Sequence, residues 1–394
     1  MATASPYRRD DATLLMFGLL AFYNGLLNGL GPLMPFLRDE FGLSHTVGSL
    51  HFSAFAAGML LVGAVGDRVI ARLGRRRSLW VGAWGMACGA VGLIVGRNAA
   101  ATIASCFAMS AVGSLLIILV GASLSDRHGG NGAVAIGEAN IFASVAAGIA
   151  PLLVGFGEGS GIGWRFALAV PIALLTLLTL RFRSAAIPAA HPAPAHADGS
   201  APLPRSFWIY WLALTLGVAV EFSLIYFGAD FLHEAAGLSK SAAATTMSLF
   251  LWGMVAGRIA GSRIVGCIHP ARLLPGAIAV TTLGFLVYWL APWTPVVVAG
   301  LFVAGLGVAN IYPLTMALGF RAAAGRSDAA GARMTFASGA AILTAPLLLG
   351  VLSDAVGISR AYGIVPLLLL ALLGAILLAG RWSPSAAETA MVAA

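Results

Sequence analysis

The sequence offers few side chains that could do chemistry, and one of them stands out by its surroundings. Glu221 is a carboxylate within the apolar stretch WLALTLGVAVEFSLIYFGADF. Burying an ionisable group in such a stretch is costly, which makes Glu221 a candidate functional residue. Because an apolar environment favours the uncharged form of a carboxyl group, Glu221 is suited to taking up and releasing a proton. The alternative is a structural carboxylate held by a hydroxyl or an indole N–H.

Two asparagines form a second candidate group. Asn24 and Asn28 lie four residues apart in an apolar run, so they share one face of a helix. They could line a binding cavity or hydrogen-bond to neighbouring helices, and the spacing leaves both roles open. Five further polar residues complete the predicted substrate and proton site: Ser223, Tyr226, Asn140, Asn310 and Tyr312. Asp230 and Glu234 follow Glu221 closely, and we expect them to be solvated.

Catalytic and metal-binding patterns are missing from the sequence. His45 and His51 lie six residues apart, and the three cysteines, Cys88, Cys106 and Cys267, have no ligand spacing. The nucleotide-binding pattern G-x-x-x-x-G-K-[ST] does not occur. The sequence therefore predicts a protein that is not an enzyme and that has no metal site and no cofactor.

The composition indicates which class of structure must position these residues. The chain has 394 residues, of which 59% are hydrophobic and 10% are charged. Soluble globular domains contain roughly 25% charged residues. This shortage of charge excludes an ordinary soluble enzyme, a disordered chain and a nucleic-acid binder, despite the net charge of +8.

Apolar runs of bilayer length recur along the whole chain. A membrane-spanning helix needs about 20 such residues, so the runs predict an all-α polytopic membrane protein. The twelve predicted spans are 12–36, 46–66, 78–96, 99–124, 133–156, 164–181, 206–231, 242–262, 272–291, 294–319, 329–352 and 361–380.

The basic residues predict the orientation. Lys and Arg accumulate in cytoplasmic loops, and with the N-terminus inside the count is 18 cytoplasmic against 5 external. We therefore expect both termini in the cytoplasm of a bacterial cell and the chain in its inner membrane.

The chain divides into two similar halves. A Pro- and Ala-rich segment separates spans six and seven, so we predict a six-helix bundle at 1–181, a cytoplasmic linker at 182–205 and a second bundle at 206–394. A constant shift of 195 residues aligns Gly58 with Gly253 and the stretch Ala150-Pro151-Leu152-Leu153 with Ala345-Pro346-Leu347-Leu348. Parallel repeats related by an axis along the membrane normal explain this shift.

A motif after span two carries a family resemblance. The stretch GAVGDRVIARLGRRR includes Gly63, Asp67, Arg68, Gly74, Arg75 and Arg76. With twelve spans in two halves, it resembles the signature loop of the major facilitator superfamily. The resemblance implies the fold of that superfamily, with helices one and seven lining a central cavity, helix two near helix eleven, and helix five near helix eight.

Charges at the cytoplasmic ends suggest a latch between the halves. Given the implied helix neighbours, we expect Asp67 to contact the start of span eleven, including Arg333, and Glu138 to contact Arg258. Asp126 could accept an arginine from the basic cluster at 72–77. The alternative is that these arginines only set the topology and bind lipid head groups.

Taken with the resemblance, these residues predict a monomeric secondary transporter in the lipid bilayer. It would move a small organic solute by alternating access, coupled to protons through Glu221. Proton-driven export of amphipathic compounds, facilitative uniport and a non-transporting receptor are the alternatives. Span four lacks the arginine, and span five the Gly-Pro motif, of the superfamily's drug antiporters, which speaks against drug export.

Overall fold

The structure is a computed structural model that describes residues 9–187, 203–264, 268–323 and 327–382. Helices make up almost all of this part of the chain, and short turns connect them. We number the long helices in chain order: α1 Asp11–Phe41, α2 His45–Leu73, α3 Arg75–Val95, α4 Ala99–His128, α5 Gly132–Gly159, α6 Phe166–Phe182, α7 Arg205–Glu234, α8 Lys240–Ile264, α9 Pro270–Leu290, α10 Thr294–Ala322, α11 Ser327–Val356 and α12 Ile364–Trp382.

The helices have the length and composition of membrane spans. Within the described residues, eleven helices are long and apolar enough to cross a bilayer, and α6 is a shorter apolar helix. The predicted all-α fold with twelve membrane helices is confirmed. Most predicted ends agree with the observed ends to within a few residues, but α2 continues to Leu73, well beyond the predicted limit of 66.

The segment predicted as a signature loop is mostly helical, which corrects that expectation. α2 runs through Asp67 and Arg68, and α3 begins at Arg75. Gly74 alone makes the turn, with a φ of 77° that suits glycine. Hydropathy marks where the apolar core of the bilayer ends, whereas backbone hydrogen bonding continues until a residue such as glycine stops it.

The two halves repeat each other in detail. α4 is interrupted at Ser114 and α10 at Ala309 and Asn310, positions related by the shift of 195. Close contacts between helices repeat as well. In the first half, a Cβ on Gly58 would lie 2.7 Å from the carbonyl oxygen of Phe107 in α4. Gly253 makes the equivalent close approach to Phe302 in α10. Such small residues allow membrane helices to pack closely.

Within the described residues the halves meet mainly along three pairs of helices. α1 packs against α7, α2 against α11, and α5 against α8. The last two pairs are those that the family resemblance implies. We call the end of the molecule where α1 and α7 begin the terminal end, and the opposite end, where they finish, the distal end.

Parts of the predicted organisation fall outside the described residues. These parts are the centre of the linker at 188–202, the ends of the two predicted bundles at 1–8 and 383–394, and two short stretches at 265–267, which includes Cys267, and 324–326. The domain boundaries at 181 and 206 stay predictions.

A glycine substitution tests the close packing of α3 on α4. In Gly89→Ala the new Cβ would lie 2.5 Å from the Cα of Met109, so backbone must shift. Overpacking of this kind costs about 1–3 kcal/mol. We expect the midpoint of thermal unfolding to fall by at least about 2 °C, measured by intrinsic fluorescence on the purified protein. Gly121→Ala in α4 is the control, because no atom lies within 4 Å of its Cβ. Equal midpoints for the two variants would contradict the packing.

Candidate functional site

A polar cavity lies between the two halves, about midway along the helices. Its volume is about 100 Å³, and α1, α5, α7 and α8 line it. Six polar side chains face this space: Asn24, Asn28, Asn140, Ser144, Glu221 and Arg258. The structure thus brings together four residues of the predicted substrate and proton site, and adds Ser144 and Arg258.

Glu221 is the only carboxylate among the lining residues of this cavity. It makes no ion pair or hydrogen bond with any described residue, and the charge of Arg258 acts on it through space. Arg258 instead donates a hydrogen bond from Nη1 to Ser144 Oγ, at 3.1 Å. The cavity therefore contains two opposite charges that are not paired with each other.

The asparagines present hydrogen-bond acceptors to the cavity. Asn24 donates from its amide nitrogen to the carbonyl oxygen of Leu20, and Asn28 donates to that of Asn24. Asn140 likewise donates to Ile136 within α5. Each bond uses one of the two side-chain N–H groups, which leaves the carbonyl oxygen and the second N–H free to bond a ligand or water.

The other residues predicted for the site lie elsewhere. Ser223 is buried and donates to the carbonyl oxygen of Ala219. Tyr226 stacks on Phe52, with ring centroids 3.9 Å apart. Asn310 donates to Gly257 and lines a separate cavity of about 260 Å³.

Tyr312 is partly exposed on α10 beside Ser338, within electrostatic reach of Glu221. Ser223 and Tyr226 lie two and five positions after Glu221 on α7. Because a helix turns about 100° per residue, their side chains face other neighbours than Glu221 does.

Ion pairs join the halves at the distal end. Arg38 on α1 pairs with Asp230 on α7 at 2.6 Å, and with Glu234 at 3.1 Å. His45 on α2 contacts Glu234 at 3.2 Å, and Lys240 on α8 pairs with Asp39. Asp230 is 1% exposed. The expectation of solvation is therefore wrong for Asp230, because Arg38 supplies a counter-charge within the protein, whereas Glu234 is exposed as expected.

Asp354 of the second half caps a helix of the first half. Its carboxylate accepts hydrogen bonds from the backbone N–H groups of His45 and Thr46, both at 2.8 Å. A carboxylate at a helix N-terminus satisfies free N–H groups and interacts favourably with the helix dipole. This contact attaches α11 to the start of α2.

Two glycines related by the shift of 195 also close the distal end. A Cβ on Gly350 of α11 would lie 2.8 Å from the carbonyl oxygen of His45. A Cβ on Gly155 of α5 would lie 2.8 Å from the carbonyl oxygen of Ser241, whose hydroxyl donates to Gly155. The two halves thus touch backbone to backbone at symmetric places.

The predicted latch at the terminal end is not formed. Asp67 is exposed and makes no ion pair with a described residue, so it does not contact Arg333. Glu138 binds Arg9 through two hydrogen bonds of 2.6 and 2.8 Å, not Arg258. The described ion pairs between the halves lie at the distal end, so no salt bridge between described residues joins the halves at the terminal end.

The basic cluster after α2 makes contacts within the first half. Arg75 donates to Asp126 at 2.6 Å, which is the pairing expected of Asp126. Arg76 donates to the backbone oxygen of Arg183 after α6. Gly63 lies on an exposed face of α2 with open space around it, and Arg68 is exposed.

Asp10 fixes the start of α1 at the terminal end. It accepts a hydrogen bond from the backbone N–H of Thr13 and pairs with Arg127. Partial burial alone would raise the pKa of Asp10, but the bonds from Arg127 and Thr13 outweigh it and lower the pKa to about 2 from 3.8. Because the folded pKa is depressed, the stabilisation is present above pH 3.8 and is lost as the pH falls through about 2.

Sequence reasoning missed two features of the site. Ser144 is four residues after Asn140 and so lies on the same helix face, which is a usable signal. Arg258 lies near the end of α8, where arginines that set the topology are also expected. Nothing in the sequence therefore indicated that Arg258 lines the cavity. Arg38 had none either, because its partners are 192 and 196 residues away.

Removal of Arg38 tests the buried pair at the distal end. Arg38→Gln leaves the carboxylate of Asp230 buried without its counter-charge, and we expect a loss of about 3–5 kcal/mol in stability. Arg181→Gln is the matched control, since its pair with Asp11 is exposed and is worth about 1 kcal/mol or less. Thermal unfolding of the purified variants measures both losses.

A double variant tests the cause of the loss. Adding Asp230→Asn to Arg38→Gln removes the buried unpaired carboxylate and should restore part of the stability. An equal loss in the two single variants would contradict this account.

Comparisons with known proteins agree with this architecture. The family model of the Major Facilitator Superfamily matches residues 14–346. An uncharacterized MFS-type transporter of Yersinia pestis is 25% identical over 371 residues, which are 89% of this chain and 92% of the relative.

Solved structures share the fold at low sequence identity. A bacterial homolog of the human lysosomal transporter Spinster, in an inward-facing and occupied conformation, has a TM-score of 0.75 at 16% identity, over 96% of this chain and all of that one. A nucleoside transporter has a TM-score of 0.73 at 13% identity, over 95% of this chain and 99% of that one. The family match over most of the length shows that the chain belongs to the Major Facilitator Superfamily of membrane transporters.

Proposed function

We propose that this protein is a secondary transporter that moves a small organic solute by alternating access, coupled to protons through Glu221. The observation that carries the proposal is the polar cavity between the halves, lined by Asn24, Asn28, Glu221 and Arg258. A site at the interface of two repeats can open to either side when the halves rock against each other.

The contacts between the halves support an inward-open state. Most basic residues of the sequence belong to the terminal end, which the positive-inside rule assigns to the cytoplasm. The distal end would then face outward, and it is there that Arg38, Asp39 and Asp354 join the two halves. Asp67 at the other end has no such contact.

Glu221 is the proposed site of proton coupling. It is a carboxylate on a membrane-spanning helix, it lines the cavity, and no described residue pairs with it. A group in that position can exchange a proton with water in the cavity without breaking an ion pair. Uniport without protons, and export of an amphipathic compound, are the alternatives that the flux experiment distinguishes.

Proton coupling is tested by flux through Glu221→Gln in proteoliposomes. A thermal-shift screen of small organic solutes on the purified protein first provides a solute. We expect a pH gradient to accelerate flux of that solute, and Glu221→Gln to abolish this dependence and lower flux by roughly tenfold or more, equivalent to about 1.4 kcal/mol. Asp11→Asn, an exposed carboxylate at the terminal end, is the control and should leave flux unchanged. If neither the pH gradient nor Glu221→Gln changed the flux, proton coupling would be refuted and uniport favoured.

A latch at the terminal end is proposed for the outward-open state. When the halves close at that end, Asp67 on α2 would approach the start of α11, which includes Arg333, since α2 and α11 are neighbours. The pairing of Glu138 with Arg258 is not retained in the proposal. Glu138 has Arg9 as a partner, and Arg258 lies deeper, beside Ser144.

Asp67→Asn tests the latch. Loss of an exposed ion pair removes about 0.2–1 kcal/mol from the outward-open state, so the inward-open fraction should rise by up to about fivefold relative to the outward-open one. Distances between spin labels at the terminal ends of α2 and α11 report this ratio. Asp126→Asn is the control, because Asp126 pairs with Arg75 inside the first half. An unchanged ratio in Asp67→Asn would rule out the latch.

A further inference from the structure

The cavity between the halves contains an unusual combination of charges. Glu221 and Arg258 both line it, and no ion pair joins them. Arg258 uses one N–H on Ser144, and Glu221 has no hydrogen-bond partner among the described residues. Glu221 is half-buried on a membrane-spanning helix, where an uncompensated charge is costly, whereas Arg258 is exposed near the end of α8 and keeps its charge. A ligand with a positive and a negative group would neutralise both at once.

The cavity offers hydrogen-bond acceptors besides the carboxylate of Glu221. Asn24, Asn28 and Asn140 each use one of their two side-chain N–H groups on a backbone oxygen of their own helix, so each keeps its carbonyl oxygen as an acceptor and one N–H as a donor. A protonated amine carries several N–H donors and no acceptor, so it complements a carboxylate with amide oxygens. One end of the cavity therefore suits an ammonium group that carries hydrogens.

Donors are concentrated at Arg258. A guanidinium has five N–H donors, and one of them is used on Ser144. The hydroxyl of Ser144 is itself committed to the backbone oxygen of Asn140. The remaining guanidinium N–H groups match a carboxylate, which an arginine can bind with two parallel bonds.

The size and walls of the cavity limit the ligand. About 100 Å³ is space for a small molecule and not for a drug-sized one. Most of the apolar lining residues are aliphatic, with Leu27, Ala147, Ile225, Leu251 and Met254 among them. Phe222 is the one aromatic lining residue. Quaternary ammonium groups are usually bound by cages of several aromatic rings, so this cavity favours an ammonium that has N–H groups.

We propose that the cavity binds a small zwitterion of amino-acid size, with its ammonium group at Glu221 and its carboxylate at Arg258. The proposal rests on the proposed function, because it names the class of solute that the same cavity would carry. It also goes beyond that function, since a secondary transporter could equally carry a cation, an anion or a neutral molecule.

A matched ligand series tests the proposal on the purified full-length protein. The probes are glycine, L-alanine, L-valine, L-leucine and L-proline, each with its amide, which keeps only the positive charge, and its N-acetyl derivative, which keeps only the negative one. Thermal shift and titration calorimetry at millimolar concentration measure binding. We expect at least one free amino acid to bind, with affinity at least about tenfold higher than that of both its derivatives. Glycine betaine, which lacks N–H groups, should bind more weakly than glycine.

Charge-removing variants complete the test. Glu221→Gln and Arg258→Gln should each weaken binding of the free amino acid by about tenfold or more, while its derivatives are affected less. Asp11→Asn and Arg263→Gln remove the same charges outside the cavity and should bind like the wild type. The proposal is overturned if no free amino acid of the series binds, if a derivative with a single charge binds as well as its parent, or if the cavity variants bind normally.

Flux measurements separate this proposal from the proposed function. Binding of the amino acid without flux in proteoliposomes would contradict transport and leave the zwitterion site intact. Flux of a solute with one charge or none, with all amino acids of the series inert, would contradict the zwitterion site and leave alternating access intact.

Discussion

A charged side chain within a membrane helix needs an opposite charge or a polar cavity beside it, because the lipid interior offers neither. Two sites in this protein, one at the distal end and one at the cavity, satisfy this requirement in different ways. Arg38 and Asp230 neutralise each other in a direct pair between α1 and α7. Glu221 and Arg258 instead face a cavity and stay apart. The paired charges join the two halves at the distal end, and the unpaired ones face the cavity for which we propose a ligand.

The two places are linked because the same helices carry them. α7 contains Glu221 and, nine residues further on, Asp230, while α1 contains Asn28 and, ten residues further on, Arg38. A movement of α7 relative to α1 that breaks the distal pair must therefore also change the cavity. The close backbone contacts at Gly155 and Gly350 lie at the same end as these ion pairs, so a movement that opens the distal end must separate them as well.

Much of the fold could be predicted from the sequence, because hydropathy and charge act locally. The apolar runs located twelve helices, and the shift of 195 predicted a repeat that the interruptions of α4 and α10 share. Errors arose where a distant partner or the continuation of a helix beyond its apolar run decided the outcome. Asp230 was expected in water, but Arg38 from the other half lies beside it. The signature segment was expected as a loop, but helical hydrogen bonds continue through it to Gly74.

The sequence by itself determined the class of protein, the number of helices and a short set of polar residues that includes Glu221. It could do so because a bilayer imposes the same length and polarity on every span. Only the tertiary structure decided which of these residues share a space: Asn24, Asn28 and Asn140 join Glu221, whereas Ser223, Tyr226 and Asn310 do not. It also decided that Arg258 belongs to the cavity and that the distal end is closed. Those outcomes depend on how two halves, far apart in sequence, pack against each other.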